Sequence, residues 1–336
     1  MDNQIKSVDA NDNPILVGAL KELLNPSKLD DYIVCVVEHN ASWQDKDPKT
    51  ALLHVCFRED EPEIEGLASF LWGQCMYYAL PRRRRLKFQE ECAKDFSAVA
   101  RVNQAVRDAF IEFNKNYPSR ASELGEVLAY CIAQHHLKAP QVAAKMALKT
   151  SGNMPIHGLD GIHAVYEKEA LTIYFIESKL SGNANDGVKE YAESASGFLS
   201  NRKQYLREYE IVGDLGNLDS LEGDARKAAL EFFDIINKPR LPRRERFVGV
   251  VCYSEKKLFS DNVPVGDGPV DIHEKHFSNK YKDLHEHHQT AARKHIETYK
   301  AKASKSLIFF VAVPDVDALR ELFYRSMGIT SKDEKK

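Results

Sequence analysis

Two short apolar runs separated by a charged turn stand near the middle of the chain. The first covers residues 162–166, and the second covers residues 171–176 and is rich in β-branched and aromatic side chains. The polar triplet Glu167, Lys168 and Glu169 lies between them. β-Branched and aromatic composition favours strands over helices. The pattern therefore predicts a β-hairpin.

The rest of the apolar pattern predicts further strands and helices around this hairpin. The expected strands are residues 32–37, 51–57, 247–253 and 307–313. The expected helices are residues 65–80, 86–113, 119–137, 188–210, 274–303 and 316–327. The last two strands are too uniformly hydrophobic for an exposed sheet face, so we expect them at the centre of a sheet that helices flank.

Length and composition allow one large domain or two modest ones. The chain has 336 residues and 43% hydrophobic content, which is enough to bury an ample core. The stretch 114–118 is a predicted boundary. We expect an N-terminal α+β region over residues 1–115 that contacts a partner, a core with C-terminal helices over residues 116–330, and a disordered tail over residues 331–336.

The charge balance gives no overall attraction to nucleic acid. The net charge is −3 and the pI is about 6.5, so any affinity for DNA must be local or come from a partner. The local basic patches are Arg82 to Arg85, Arg240 with Arg243, Arg244 and Arg246, and the lysines between residues 294 and 305. The four consecutive arginines either neutralise phosphates, solvate the start of a helix or contact an acidic partner.

Targeting, redox and motor signals are absent from the sequence. The six cysteines form no Cys-x-x-Cys pair and mostly lie in apolar runs, as reduced core cysteines do. Residues 1–13 lack an apolar signal core, and no apolar stretch is long enough for a bilayer. Gly182 and Gly187 with Lys189 lack the Gly-Lys-Ser/Thr ending of a phosphate-binding loop. We expect a soluble cytoplasmic protein that does not hydrolyse ATP.

Charged residues follow directly on the second apolar run of the hairpin. Glu177 and Lys179 are two residues apart, so in a strand they point to one face while Ser178 points to the other. Pairing the two strands brings the start of the first strand near the end of the second. Asp160, which lies within the segment Gly158-Leu159-Asp160-Gly161, is therefore expected close to Glu177.

Two carboxylates and a lysine at a strand end match the needs of phosphodiester hydrolysis. Asp160 and Glu177 would hold a hard cation such as Mg²⁺, and the carbonyl of Ser178 would add a ligand. Lys179 would orient or deprotonate the attacking water and stabilise charge on phosphorus. The competing interpretation is a Gly-Asp-Gly turn beside a surface ion pair, which is worth little energetically.

The order of a helix glutamate, Gly-x-Asp-Gly and Glu-x-Lys resembles the PD-(D/E)xK nuclease superfamily over about residues 119–209. The resemblance implies a restriction-endonuclease-like α/β fold: a mixed sheet with an α-β-β-β-α-β core, flanked by helices, here with an N-terminal α+β extension. The spacing around Asp160 and Glu177, with the chain length, more closely resembles the HamA family, the nuclease subunits of the Hachiman anti-phage defence system.

This resemblance implies a catalytic set and a partner. The catalytic residues would be Glu126, Asp160, Glu177 and Lys179, and the ligands of Mg²⁺, or of Mn²⁺ in its place, would be Glu126, Asp160, Glu177 and Ser178. The activity would be that of a DNA nuclease in a heterodimer with the helicase subunit HamB. The helicase would hold the nuclease inactive on intact DNA and release it when damaged or phage DNA is engaged.

Several alternatives remain open at the level of sequence. Glu126 lies nearly opposite the apolar stripe of its predicted helix, so Glu123 is the reserve candidate for the fourth position. Gln204 is a weak accessory candidate. The histidines of predicted helix 274–303 are expected on a solvated or partner-facing helix, although His285 and His288 share a face that suits zinc. A noncatalytic adaptor of a helicase complex and a sequence-specific restriction endonuclease are the competing functions.

Overall fold

The computed structural model describes residues 13–25, 27–39, 43, 46–116, 122–144, 146, 159–215 and 217–328. Gly158 of the Gly-x-Asp-Gly motif lies outside the described residues. The first three residues of predicted helix 119–137 and the predicted tail 331–336 also lie outside them.

Strands and helices alternate along much of the chain. The strands are β1 (Ile33–Val37), β2 (Lys49–Val55), β3 (Phe57–Arg58), β4 (Glu61–Pro62), β5 (Gln141–Ala143), β6 (Gly161–Glu167), β7 (Ala170–Ser181), β8 (Arg243–Ser254) and β9 (Ser306–Val313). The α-helices are α1 (Pro14–Leu23), α2 (Ile64–Ala79), α3 (Arg82–Lys94), α4 (Ala98–Asn116), α5 (Glu123–His136), α6 (Ala184–Ser200), α7 (Arg202–Leu215), α8 (Gly223–Phe233), α9 (Lys256–Phe259), α10 (Ile272–Asp283), α11 (His285–Thr298) and α12 (Val316–Ser326).

One sheet of seven strands organises the molecule, in the order β1-β2-β9-β8-β7-β6-β5. The neighbours from β2 through β9 and β8 to β7 are parallel. The pairs at the two edges are antiparallel. The order α5-β5-β6-β7-α6-β8 reproduces the α-β-β-β-α-β core, so the predicted restriction-endonuclease-like α/β fold is confirmed. Strands β1 and β2 extend the same sheet, and the boundary near residue 115 stays a prediction.

The two faces of the sheet bury different helices. One face packs against α2, α5 and α12, and the other packs against α6, α10 and α11. Alternate residues of β7 point to the two sides, with Tyr174 and Ile176 in the first core and Ile173 and Phe175 on the opposite face. Strand β9 is buried throughout, which confirms its predicted central position.

The predicted hairpin is confirmed, and its turn has an unusual backbone. Strands β6 and β7 pair from Gly161 opposite Ile176 to Glu167 opposite Ala170. The two turn residues, Lys168 and Glu169, have φ of 48° and 60°. This left-handed conformation matches the right-handed twist of the two strands but strains residues that carry a Cβ.

Three predicted long helices are each divided into two. Residues 86–113 belong to α3 and α4, residues 188–210 to α6 and α7, and residues 274–303 to α10 and α11. The first break follows from Asp95, whose backbone is extended and whose carboxylate accepts the N–H of Ser97 at 2.9 Å. At the second break the side chain of Asn201 accepts the N–H of Gln204 at 3.1 Å. Short polar side chains compete with the helix for its backbone donors.

The expectation that the histidine-rich helix is solvated or partner-facing is wrong. His273 and His288 are buried. The Nε2 atom of His288 lies 2.8 Å from the hydroxyl of Tyr253, and His285 lies 2.9 Å from Thr50 Oγ1. The two histidines proposed as a zinc pair therefore bond to different strands of the sheet.

The four consecutive arginines do not act as one basic patch. Arg85 is buried and donates to Asn25 Oδ1 at 2.7 Å, and Arg82 donates to Ser220 at 3.2 Å. Arg83 and Arg84 are exposed. Arg82 and Arg85 therefore fix the position of helix α3 through these hydrogen bonds.

All six cysteines are free thiols, and three of them, Cys75, Cys131 and Cys252, are buried in the core. Within the described residues, no helix combines the length and the apolarity that crossing a membrane requires.

Candidate active site

Helix α5 places two glutamates in the protein interior. Its first turn contains Glu123 and Glu126, and both residues are buried. Negative side chains are favourable at this position because the helix dipole is positive at its N-terminus. The interpretation of Glu126 as a solvated helix glutamate is excluded by its exposure of 3%.

Each of these glutamates is held by a tyrosine from a different helix. The hydroxyl of Tyr78, in α2, donates to Glu126 Oε2, and Ser122 Oγ donates to Glu126 Oε1 at 3.1 Å. The hydroxyl of Tyr324, in α12, donates to Glu123 Oε2 at 2.5 Å. Burial, then the charge of Glu126 and its hydrogen bond, then Asp160 and Glu123, raise the pKa of Tyr78 well above its usual value. The phenol is therefore a neutral donor at physiological pH.

Asp160 lies at the point where the pairing of β6 and β7 ends. The last backbone pair is Gly161 with Ile176, and Asp160 is in a bend one residue beyond it. Its Oδ2 atom accepts the backbone N–H and the side-chain Oγ of Ser178, each at 2.7 Å. The carboxylate thus takes the place of a strand carbonyl and fixes Asp160 beside β7.

Glu177 and Lys179 form a close ion pair on the opposite side of β7 from Ser178. Lys179 Nζ lies 2.7 Å from Glu177 Oε1, and the two side chains are only 20% and 11% exposed, respectively. Burial alone would lower the pKa of Lys179, but Glu177, Asp160 and Glu190 together raise it above its usual value. Lys179 is therefore a cation at neutral pH.

The strand separates these groups by face. Ser178 faces α5, since a Cβ added at Gly125 would lie 3.2 Å from Ser178 Oγ. Glu177 pairs with Gly249 of β8, whose own Cβ position is filled by the ring of Tyr191 in α6. Asp160, at the strand edge, raises the pKa of both Tyr78 and Lys179. It is therefore within electrostatic reach of both sides.

The donor set suits a hard cation in its chemistry. Carboxylate and carbonyl oxygens are the ligands of Mg²⁺, which commonly uses one or two carboxylates and takes its other ligands from water and substrate phosphate. Among the residues that the structure describes, no three His, Cys, Asp or Glu side chains are close enough to share one metal ion. An ion held by the two carboxylates of Asp160 and Glu177 stays a prediction, as does the full set of Glu126, Asp160, Glu177 and Ser178.

Several site neighbours have no signal in the sequence. Tyr78 and Tyr324 come from helices far along the chain from Glu126 and Glu123. Gln204, the accessory candidate, lies in the first turn of α7, where its backbone N–H donates to the side chain of Asn201. Tyr209, which shares that helix, donates to Glu245 Oε1 at 2.7 Å. Only tertiary packing brings such groups together.

The α-β-β-β-α-β core, with Asp160 directly before β6 and a Glu-x-Lys pair in β7, defines a restriction-endonuclease-like α/β protein. The chain belongs to the HamA family, which matches it over residues 30–327. Membership indicates a role in Hachiman anti-phage defence. Comparison with curated proteins gave no match.

Proposed function

We propose that this chain is a metal-dependent DNA nuclease, the effector of a Hachiman defence complex. The observation that carries the proposal is the junction of β6 and β7. There the carboxylate of Asp160 is fixed to Ser178, and the next residue toward the strand start is Glu177, paired with Lys179 at 2.7 Å. Two carboxylates and a cation at the end of adjacent strands suit the hydrolysis of a phosphodiester.

Asp160 and Glu177 hold Mg²⁺ in this proposal, and Mn²⁺ can substitute. The carbonyl of Ser178 would add a ligand, and Glu126, which is not close enough to share one ion with both other carboxylates, would contact the ion through a bound water. When bound, the ion neutralises the phosphodiester and lowers the pKa of an attacking water. The two hydrogen bonds from Ser178 restrict the Asp160 carboxylate to one orientation before any ion or substrate arrives.

Lys179 acts as a cation and not as a base. Its raised pKa keeps the ammonium charged, so it is a poor acceptor for the proton of water. A fixed positive charge stabilises the negative charge that develops on the phosphate oxygens. The ammonium also donates hydrogen bonds that orient the attacking water.

Glu126 is proposed as the fourth member of the site in preference to Glu123. The Tyr78 hydroxyl donates directly to Glu126, whereas Asp160 and Glu123 raise the pKa of the same phenol only through their charge. Glu123 is instead held by Tyr324 on α12. Glu126 therefore has the better position to contact an ion or a water bound by Asp160.

Control of the activity falls to a partner in this proposal. A nonspecific DNase must be restrained in its own cell, and this chain has no phosphate-binding loop with which to drive a motor. We expect a cytoplasmic heterodimer with the helicase HamB, which keeps the nuclease inactive on intact DNA and releases it on damaged or phage DNA.

Plasmid degradation tests the proposal. The chain with Mg²⁺ should convert plasmid to a smear, and Glu177→Gln and Lys179→Ala should each abolish this while keeping the fold and the helicase bound. Glu193→Gln and Lys189→Ala, at exposed positions of α6, are the matched controls and should retain activity. Full cleavage by both site variants would refute the catalytic assignment. Discrete fragments would indicate a sequence-specific restriction enzyme, and no cleavage by the unaltered chain with or without helicase would indicate an adaptor.

A further inference from the structure

A cavity of about 490 Å³ lies at the turn end of the β6–β7 hairpin, away from the carboxylates. Its walls come from the turn itself, the start of β8, the end of α5 and the isolated Trp43. The residues that matter below are Trp43, His136, Lys138, Lys168, Arg244 and Arg246. This volume is within the range of about 300–1,000 Å³ that small-molecule sites occupy.

The walls of this cavity carry a strong excess of positive charge. Among the residues that the structure describes, two arginines and two lysines line it, against one carboxylate, that of Glu167. Arg244 donates to the carbonyls of Glu167 and Lys168 at 2.9 and 2.8 Å, and Arg246 donates to the carbonyl of Glu245 at 2.8 Å. These bonds fix the guanidinium groups without neutralising them. The cavity therefore attracts anions.

Two nitrogen atoms on the cavity wall lack partners. Arg246 Nε and His136 Nε2 are buried and have no hydrogen-bond partner among the described residues. A buried polar group left unpaired destabilises the protein, because it has lost its hydrogen bonds to water. An anionic ligand in the cavity would satisfy the arginine and contact the histidine.

An aromatic wall accompanies the cations. The guanidinium carbon of Arg246 lies 4.4 Å from the centre of the Trp43 ring, and Tyr174 also lines the cavity. Guanidinium groups bind phosphate in a planar, forked geometry. Flat aromatic rings stack with nucleobases of any sequence. A ligand with both a phosphate and a base uses both features, whereas an acidic peptide uses only the charge.

We propose that this cavity binds the phosphate and base of a nucleotide, either free or at the 5′ end of a nucleic-acid strand. The proposal does not rest on the proposed nuclease activity. Tyr174 precedes Glu177 by three residues, about 10 Å along the strand, and points to the opposite face of the sheet. The cavity is therefore distinct from the candidate active site and needs no divalent ion.

Binding measured without divalent ions tests the proposal. The full chain with Lys179→Ala, in EDTA, is titrated into 3′-fluorescein oligo(dT) that carries either a 5′-phosphate or a 5′-hydroxyl. The phosphorylated strand should bind at least about tenfold more tightly. Arg246→Gln should remove this preference, Arg246→Lys should restore part of it, and Trp43→Leu should weaken both the strand and dTMP. Arg325→Gln, an exposed arginine of α12 paired with Glu321, removes the same charge elsewhere and should bind as the parent does.

Competition separates the two sources of the ligand. If dTMP displaces the strand, the cavity takes free nucleotides, and if only a phosphorylated strand binds, it takes strand ends. Both results support the site when they depend on Arg246. Equal binding of the two strands with no effect of Arg246→Gln, or an equal loss in Arg325→Gln, would overturn it. Displacement by inorganic phosphate as effective as by dTMP, or by polyglutamate, would show that no base is recognised.

Discussion

The carboxylate of Asp160 accepts two hydrogen bonds from Ser178, from its backbone N–H and its Oγ, each at 2.7 Å. Ser178 is the residue between Glu177 and Lys179 in β7. The acid that directly precedes β6 is thus fixed to the strand that carries the other two charged groups. Any loss of this contact should loosen the whole junction.

Removing the Asp160 side chain should destabilise the protein by about 2 kcal/mol, because it leaves the N–H and the hydroxyl of Ser178 unpaired. Ser178→Ala removes only the hydroxyl and should cost about 1 kcal/mol. Urea unfolding of Asp160→Ala and Ser178→Ala measures both. A cost for Asp160→Ala no larger than that for Ser178→Ala would mean that the backbone bond contributes nothing.

Two tyrosine variants distinguish Glu126 from Glu123. Tyr78→Phe and Tyr324→Phe each remove the donor to a buried carboxylate, so each should lower the free energy of unfolding by about 1–3 kcal/mol. If Glu126 belongs to the ion site, only Tyr78→Phe should also change the affinity for Mn²⁺. An altered Mn²⁺ affinity in Tyr324→Phe alone would instead assign the fourth position to Glu123.

The charge of Glu177 should control the reactivity of Lys179. Burial lowers the pKa of Lys179, and Glu177 is the first of the groups that raise it. Glu177→Gln should therefore lower this pKa and increase the fraction of free amine. Competitive acylation with dilute acetic anhydride, read by peptide mass spectrometry, should show faster labelling of Lys179 and unchanged labelling of the exposed Lys189. Slower or equal labelling of Lys179 would mean that Glu177 does not raise the pKa of Lys179.

Stability should fall in mild acid because several histidines are buried and neutral. Burial lowers the pKa of His54, His163 and His288 to about 4 from 6.5. A base with a lowered folded-state pKa stabilises the fold above pH 6.5, and this contribution is lost as the pH falls from 6.5 toward 4. Between about pH 7.5 and pH 5 each should cost about 2 kcal/mol.

Urea unfolding across this pH range measures the effect. His163 Nδ1 lies 2.8 Å from the carbonyl oxygen of Ala139, and a glutamine can donate there without titrating. His163→Gln should therefore reduce the slope of the unfolding free energy against pH by the amount that corresponds to about one bound proton. An unchanged slope would mean that His163 does not contribute.

The sequence predicted six of the seven strands of the sheet, all but β5, and the charged end of β7. The uniformly apolar run of β9 predicted a central strand, and the alternation of side chains predicted that Glu177 and Lys179 share a face. Both follow from the two-residue period of a strand and from burial on both sides. Local patterns of this kind depend on few neighbours.

Tertiary contacts explain what the sequence did not predict. The position of Glu126 opposite the apolar stripe of α5 indicated a solvent-exposed side chain. In the structure nearly every residue of α5 is buried, on all sides of the helix. The donor Tyr78 and the carbonyl contacts of Arg244 come from distant segments. The helix breaks at Asp95 and Asn201 depend on single polar capping side chains. The 3.6-residue spacing of apolar positions, from which the helices were predicted, contains no information about such side chains.

Calorimetric titration with Mn²⁺ tests most directly whether Asp160 and Glu177 share a divalent ion. The unaltered chain should bind Mn²⁺, and Asp160→Asn and Glu177→Gln should each abolish this heat while Glu193→Gln, at an exposed position of α6, retains it. Circular dichroism of each variant establishes that the fold is intact. Binding that is equal in all four proteins, or absent from the unaltered chain, would contradict the account.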